Sequence, residues 1–458
     1  MDPQKHSKVY FISLGCPKNL VDSEVMLGRL EKDNYVITQN PNEAEVIIIN
    51  TCSFIQAAKE ESIETVLEMS DYKTTGKCKL LVVTGCLSQR YWQELEKELP
   101  EVDLFVGTGL YHKITEILNQ SKLKFGAEIP KRSYINQPAF IHTEKDLRIK
   151  TGSTYSAYLK ISEGCNRRCS FCIIPKLRGN VRSRSIESLV AEAKTLAKGG
   201  VKELNLIAQD LTEYGMEWKY NQRLETLLPE LCKSEGIEWI RLHYVYPDQF
   251  SDELIEIIAR EQKIVKYLDM PIQHTNDRIL NLMNRKLNKK KLFSLIEKLR
   301  NKIPDIVFRT SIIVGFPSET EENFKELCRD LEKLKLDHVG VFRYSQEEET
   351  VASKLKEQIP NTIKRKREKQ LLAALKAQAF QWNQKHLNQK RSVIIEDNNS
   401  LSSFFIQARM STQSQEIDGN VFINEISSHV NTQQLKSGNI LSVKITKSIP
   451  PDFFATVI

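Results

Sequence analysis

Between Lys8 and about Ile117, four short apolar runs, VYFISLG, EVIIIN, KLLVVTG and DLFVG, alternate with polar, helix-favouring stretches. No other feature limits the fold so strongly. Runs this short and this apolar suit strands buried on both faces, and parallel strands joined by covering helices bury both faces. The segment therefore predicts a parallel α/β sheet. The alternation returns after Tyr155, where YSAYLKIS, ELNLIAQD, WIRLHYVY, KYLDMPIQ, IVFRTSIIVGF and HVGVFRYS are each followed by a polar or helical stretch. Six such units imply a barrel-like sheet, complete or partial. After Pro360 the segment NTIKRKREKQLLAALKAQAFQWNQKHL reads as one long helix. Its KRKREK run suits either a solvated face or a contact with RNA or another acidic surface. From Arg391 onward, short alternating runs (SVIIE, FFIQARM, NVFINEI, ILSVKITKS) separated by Gly, Asn and Ser predict a small all-β barrel.

A chain of 458 residues is too long for one ordinary core. The pattern divides it into an α/β unit over 7–120, a linker over 121–153 that contains Pro130 and Pro138, a strand-helix unit over 154–380 and a β unit over 381–458. No run approaches the roughly 18 apolar residues of a membrane helix, and the start, MDPQKHSKVYFISLG, lacks the apolar core of a signal peptide. The cytoplasm is the expected location. Nine cysteines in a reducing compartment make a poor disulfide framework, which turns attention to metal binding or thiol chemistry. The net charge of +7 permits contact with RNA or a ribosome without demanding it.

Cys165, Cys169 and Cys172 stand in the spacing C-x-x-x-C-x-x-C directly after a predicted strand. Structural zinc would need a fourth ligand, and no nearby Cys or His supplies one. An iron-sulfur cubane held by three thiolates leaves one iron open to another ligand. Cys16, Cys52 and Cys86 end VYFISLGC, VIIINTC and LLVVTGC. In a parallel sheet all strand carboxyl ends lie on one edge, so three thiols distant in sequence can meet there. Taken singly, each would more often be a buried structural cysteine; three repetitions of one placement point to a second three-thiolate site. Cys78, Cys232 and Cys328 lie without partners and read as structural.

The C-x-x-x-C-x-x-C loop after the first strand of a strand-helix barrel resembles the radical S-adenosylmethionine superfamily. In that superfamily the open iron binds S-adenosylmethionine, whose cleavage yields a hydrogen-abstracting radical. Cysteines at 16, 52 and 86, the radical motif and a terminal barrel together resemble the methylthiotransferase family over nearly the whole chain. QARMSTQSQEIDGNVFI looks like the core of that family's TRAM module. The resemblance implies an α/β multidomain fold: an N-terminal parallel sheet, a central partial (β/α)6 radical barrel and a C-terminal TRAM barrel. It implies two [4Fe-4S] clusters, and two molecules of S-adenosylmethionine per turnover, one for sulfur methylation and one for the radical.

SLGCPKNLVDSE, IPKLRGNVRSRSIE and ELNLIAQDLTEYG are similar to the branch that modifies the β-carbon of an aspartate in ribosomal protein S twelve. The rival branch modifies a tRNA adenosine beside the anticodon and typically carries Gln-Met-Asn after its first cysteine, where this chain has Pro-Lys-Asn. A rival of another class is a nonenzymatic iron-sulfur protein that binds the ribosome or senses redox state. Residues 391–458 hold five Arg or Lys against six Asp or Glu, a poor RNA clamp. The implied partners are ribosomal protein S twelve, free or in the small subunit, and a one-electron donor such as a flavodoxin or ferredoxin; tRNA fits less well, and no membrane is involved. At the carboxyl ends of the central strands, Gln209, Asp210, Gln273, His274 and Gly315 are the implied contacts for S-adenosylmethionine. Arg309, inside a strand, suits either the cofactor carboxylate or a core charge, and His274 suits either the cofactor or a structural hydrogen bond. Glu349 stands where the family commonly has glycine, which puts the local loop geometry in question because the two differ most at positive φ.

Overall fold

A computed structural model of the chain describes residues 7–122, 131–219, 222–397, 405–428 and 430–458. The first sheet contains β1 (Lys8–Ser13), β2 (Val36–Ile37), β3 (Val46–Thr51), β4 (Leu80–Gly85), β5 (Leu104–Gly107) and β6 (Ser133–Tyr134), all parallel, in the order β2-β1-β3-β4-β5-β6. β3 and β4 are buried at every residue. Their side chains alternate between two cores: Val46, Ile48, Leu80 and Val82 face the helices Pro17–Lys32 and Ile114–Lys122, while Ile47, Ile49, Leu81 and Val83 face the opposite layer. Each such side chain contributes about 1.5–3 kcal/mol on burial, so uninterrupted apolar runs form the centre of the sheet.

The expected linker over 121–153 is not a free connection. Pro130 lies outside the described residues, but β6 pairs with β5 at the sheet edge. The chain then passes so close to the helix Pro17–Lys32 that a Cβ on Gly28 would sit 2.1 Å from the Leu147 carbonyl oxygen. Arg148 fixes this strap to the sheet layer through Glu24 and to the next unit through Glu192, the latter at 2.7 Å.

The central region follows with β7 (Ser156–Lys160), a short antiparallel pair of β8 (Ser162–Glu163) and β9 (Arg182–Ser183), then β10 (Glu203–Ile207), β11 (Trp239–Leu242), β12 (Ile264–Asp269), β13 (Val307–Val314) and β14 (His338–Arg343). Its six main strands are parallel in the order β14-β13-β12-β11-β10-β7, an open (β/α)6 sheet. The long helix Asn361–His386 runs through the expected boundary at 380. Its basic run is only partly solvated: Lys364 and Arg367 are buried and donate to the carbonyls of Tyr344 (2.9 Å) and Glu319 (3.0 Å). Long basic stems cover apolar surface while their heads reach carbonyls at strand ends.

β15 (Lys390–Asp397), β16 (Ile406–Met410), β17 (Val421–Ile426), β18 (Ile440–Ile449) and β19 (Asp452–Val457) close the terminal barrel. Phe404 of the expected FFIQARM strand lies outside the described residues. The barrel docks against the starts of the central strands: Tyr155, Trp239, Val265 and Val307 share a core with Val393, Val421 and Phe453. Arg409 also reaches buried Glu203 at 2.6 Å. The carboxyl ends of the central strands are therefore left facing the first sheet's cysteine edge. Among the described residues, no helix is long and apolar enough to cross a membrane.

Candidate functional site at the sheet junction

Because β1, β3 and β4 are adjacent and parallel, with Ser13 opposite Asn50 and Thr51 opposite Gly85, the residues that follow them meet at one edge. Cys16 precedes the helix Pro17–Lys32 as its cap, and Cys86 opens the helix Cys86–Glu98. The approach is close enough to require glycine. Gly15 has φ of 88°, and a Cβ there would lie 2.6 Å from the Cβ of Cys52. The three thiols share one electrostatic environment: burial pushes the Cys52 thiol up to about 12, and Cys86 and Cys16 add to the rise. Burial likewise raises Cys86, with Cys16 again contributing.

The second group forms within one loop. Cys172 N–H donates to the Cys169 carbonyl at 3.1 Å, and Cys165 N–H to the Gly179 carbonyl at 3.1 Å. Burial raises the Cys172 thiol to about 12, with Cys169 adding, and raises Cys165 as well. The loop is anchored from several directions. Asn166 N–H donates to Glu213 at 2.9 Å, Arg167 donates to Asp210 at 2.9 Å, and Ser170 donates to the Leu282 carbonyl at 2.7 Å. Tyr246 lies between the guanidinium groups of Arg167 and Arg285, 4.0 and 3.8 Å from its ring centre.

One short helix, Ile174–Arg178, joins the two groups. It begins just after Cys172, and Ile173 and Leu177 pack against Cys86. At its end the Arg178 guanidinium lies 3.5 Å from Cys86 Sγ and 3.0 Å from Asn19 Oδ1, donates to Asp22, and reaches Glu163 at 3.3 Å. Lys160 bonds the same two carboxylates, Glu163 at 2.7 Å. All four ionic residues are buried. Burial alone would raise the Glu163 carboxyl, but Lys160 and Arg178 outweigh it and hold it well below the usual range. Two cations and two anions compensate one another here, which is what makes so deep an ion cluster tolerable. Asp22 follows Cys16 in the chain, Glu163 precedes Cys165 and Arg178 follows Cys172, so the network ties both thiol groups to one frame.

Thiolates are the donors that iron-sulfur clusters take. Among the described residues no three Cys, His, Asp or Glu come close enough to hold a single ion. By donor chemistry each trio offers three sulfurs, the ligand type of an iron-sulfur group and too few to close every iron of a cubane.

The remaining expected site residues divide. Gln209 stands at the edge between the thiol groups: its Nε2 donates to Glu163 at 2.6 Å, while its buried Oε1 has no partner among the described residues. Gln273 sits at the strand-end edge with φ of 71°, its backbone bridging to Ile312. Asp210 is taken up by Arg167 and by the Thr212 N–H at 2.9 Å, so it anchors the cysteine loop. His274, an expected cofactor contact, is fully buried. Its Nδ1 accepts from Asn276 N–H at 2.9 Å, burial lowers its pKa to about 3, and its charged neighbours Glu326, Arg367 and Lys289 belong to the helix layer. Arg309 is third in β13, too near the strand's start to reach the carboxyl edge. It pairs with Asp269 at 3.0 Å and with Asp418 of the terminal barrel at 3.5 Å. Gly315, with φ of 71°, makes a turn packed by Lys364, whose Cγ would lie 2.4 Å from a Cβ there.

Asp22, Lys160, Glu163 and Arg178 were not expected from sequence. Asp22 and Arg178 lie inside the two motif segments SLGCPKNLVDSE and IPKLRGNVRSRSIE, which was the available signal. A second junction contact was also missed. Buried Glu347 accepts from Lys59 (3.0 Å) and Arg90 (2.8 Å), both on helices behind the first cysteine edge. Its neighbour Glu349 has φ of 63° and pairs with Lys176 at 2.6 Å.

Residues 8–107 match the model of an uncharacterised protein family, UPF0004, and residues 159–331 match that of the radical SAM superfamily. The chain is 47% identical over 452 residues to a protein of Geobacter sulfurreducens named ribosomal protein uS12 methylthiotransferase RimO, covering 98% of each chain. It is 45% identical over 458 residues to the protein of that name from Citrifermentans bemidjiense, covering 100% of each. The one from Clostridium botulinum is 46% identical over 451 residues, covering 98% of each. Among solved structures, the radical S-adenosylmethionine methyltransferase TsrM of Kitasatospora setae, with cobalamin and a [4Fe-4S] cluster bound, is similar in fold. That match has a TM-score of 0.55 and 13% identity, covering 74% of this chain and 72% of that one.

Proposed function

The chain belongs to the RimO family of ribosomal protein uS12 methylthiotransferases, within the radical S-adenosylmethionine superfamily, and from that premise we propose how its residues share the work. It is an enzyme that modifies ribosomal protein uS12 and uses S-adenosylmethionine and two [4Fe-4S] clusters. The proposed target is the β-carbon of an aspartate. Cys165, Cys169 and Cys172 hold one cluster, and Cys16, Cys52 and Cys86 hold the other. When bound, these groups supply a hydrogen-abstracting radical and the methylthio group that replaces the hydrogen.

The protein's own part is placement and exclusion of water. Arg178 and the helix that carries it set the spacing between the thiol groups. Lys160, Asp22 and Glu163 close the floor of the junction. Gln209 offers its unpartnered Oε1, and Gln273 its strand-end position, to S-adenosylmethionine. Asp210, His274, Arg309 and Gly315 keep structural parts. The working units are 7–120, 154–380 and 381–458, joined by the strap over 121–153. A flavodoxin-like or ferredoxin-like protein delivers single electrons, and the enzyme works in the cytoplasm, where uS12 is made.

The observation that carries this reading is the Arg178 contact with Cys86 from a helix that starts two residues after Cys172. The test is anaerobic incubation of the reconstituted protein with S-adenosylmethionine, a reductant, a sulfur donor and either uS12 or tRNA. Mass spectrometry should find one methylthio group replacing one hydrogen on uS12. Unmodified uS12, or modified tRNA instead, overturns it.

A further inference from the structure

Lys18 occupies a position that the rest of the fold does not explain. It lies in the first turn of the helix Pro17–Lys32, two residues after Cys16, and is 7% exposed. Among the described residues its ammonium forms no ion pair and no hydrogen bond. Its one close polar contact is the face of Tyr244, with Nζ 3.2 Å from the ring centre. Two costs fall on this side chain, and one contact opposes them. A largely buried lysine without a carboxylate is unfavourable, a cation at a helix N-terminus opposes the helix dipole, and the cation–π contact offsets only part of either.

The Tyr244 ring that receives it is itself held. Tyr244 follows the end of β11 with φ of 61°, and its carbonyl accepts from Leu211 N–H at 3.0 Å. Lysine and tyrosine thus approach from the two sheets across the junction that contains both thiol groups. A cation kept there without an anion is matched by a ligand that brings one.

We propose that Lys18 binds the side-chain carboxylate of the target aspartate, moving from the Tyr244 ring to the substrate. This deepens the uS12 reading and rests on it. The carboxylate carbon is bonded to the β-carbon, so a lysine two residues from Cys16 that grips the carboxylate holds the reacting carbon near the first thiol group. It also selects aspartate over asparagine, whose amide has the same shape and no charge. The Lys18 ammonium supplies up to three donors to the carboxylate oxygens. Lys18 is a specificity and positioning residue and takes no part in bond breaking.

The test uses reconstituted holoenzyme and two forms of uS12, one natural and one with the target aspartate changed to asparagine. Binding is read by fluorescence anisotropy, and methylthiolation of natural uS12 is followed in parallel. Wild-type enzyme should bind the aspartate form about ten- to a hundredfold more tightly, the range expected for a hydrogen bond to a charged group. In Lys18→Met the ratio should fall to near one with iron content unchanged, and Lys18→Arg should keep most of the preference. Lys18→Gln serves should the methionine variant fold poorly. A preference that survives in Lys18→Met or Lys18→Gln overturns the assignment, as does its absence from wild-type enzyme that modifies uS12. This holds even where the substitution alters the cluster spectrum, which would make Lys18 a counter-charge for the cluster alone. Wild-type enzyme that leaves uS12 unmodified overturns the substrate reading instead.

Discussion

Cys165, Cys169 and Cys172 are placed by eight residues of one loop, whereas Cys16, Cys52 and Cys86 are placed by the register of three strands. The loop needs few long-range contacts to bring its thiols together. The strand-end group exists only when the whole first sheet has formed, since a one-residue slip would move every side chain to the other face. Two sites of the same donor chemistry therefore differ in what can break them. The loop site is sensitive to its own residues, and the sheet site to anything that shifts β1, β3 or β4.

The largest test of this contrast is removal of each trio. Alanine at 165, 169 and 172 should abolish 5'-deoxyadenosine formation and halve the bound iron. Alanine at 16, 52 and 86 should also halve the iron, keep 5'-deoxyadenosine formation and abolish methylthio transfer. Iron analysis and product chromatography check both. Loss of all iron from either triple variant would mean that the groups do not form independently.

Arg178 is where the two modes of construction meet, and its replacement is next in size. Arg178→Met leaves Asp22 and Glu163 with one buried cation between them instead of two, a loss of the kind that costs about 3–5 kcal/mol. Chemical denaturation should show that drop, together with an altered spectrum for the cluster on Cys16, Cys52 and Cys86. A change under about 1 kcal/mol would mean that water already reaches the pair.

The same residue shows why the site was only partly legible in the sequence. The cysteines declare themselves through spacing or through repeated placement after apolar runs. Asp22, Lys160 and Arg178 acquire meaning only by pairing across separations of 138 and 156 residues, and no local pattern encodes that. At His274 and Arg309 the positions near strand ends were visible in the sequence, whereas their partners, Asn276 for the one and Asp269 and Asp418 for the other, were not. β19 was missed because it begins directly after Pro450 and Pro451, which read as a chain break, and β6 because two edge residues carry no period. The middle strands of the first sheet were legible because β3 and β4 are buried on both faces and are apolar along most of their length.

Gly15→Ala probes the sheet site alone. The new Cβ would press on Cys52 at 2.6 Å in a left-handed backbone, a combination that costs about 1–3 kcal/mol. Iron should fall toward half with 5'-deoxyadenosine formation retained. Equal loss from both sites would show that strain in the first sheet passes to the loop through the helix Ile174–Arg178.

The smallest expected effect concerns that helix from its exposed side. Glu349 holds φ of 63°, where a side chain costs about 1–2 kcal/mol relative to glycine. Glycine would relieve the strain but lose about 0.5–1 kcal/mol to the greater freedom of the unfolded chain. It would also lose the exposed pair with Lys176, worth about 0–1 kcal/mol. These terms nearly cancel, so Glu349→Gly should change stability by less than about 1 kcal/mol, and Lys176→Met by less than about 0.5 kcal/mol. Were Glu349→Gly to cost more and Lys176→Met to cost as much, the pair would be holding the helix between the thiol groups in place. The loop site would then share the long-range dependence of the sheet site, and the contrast between them would narrow.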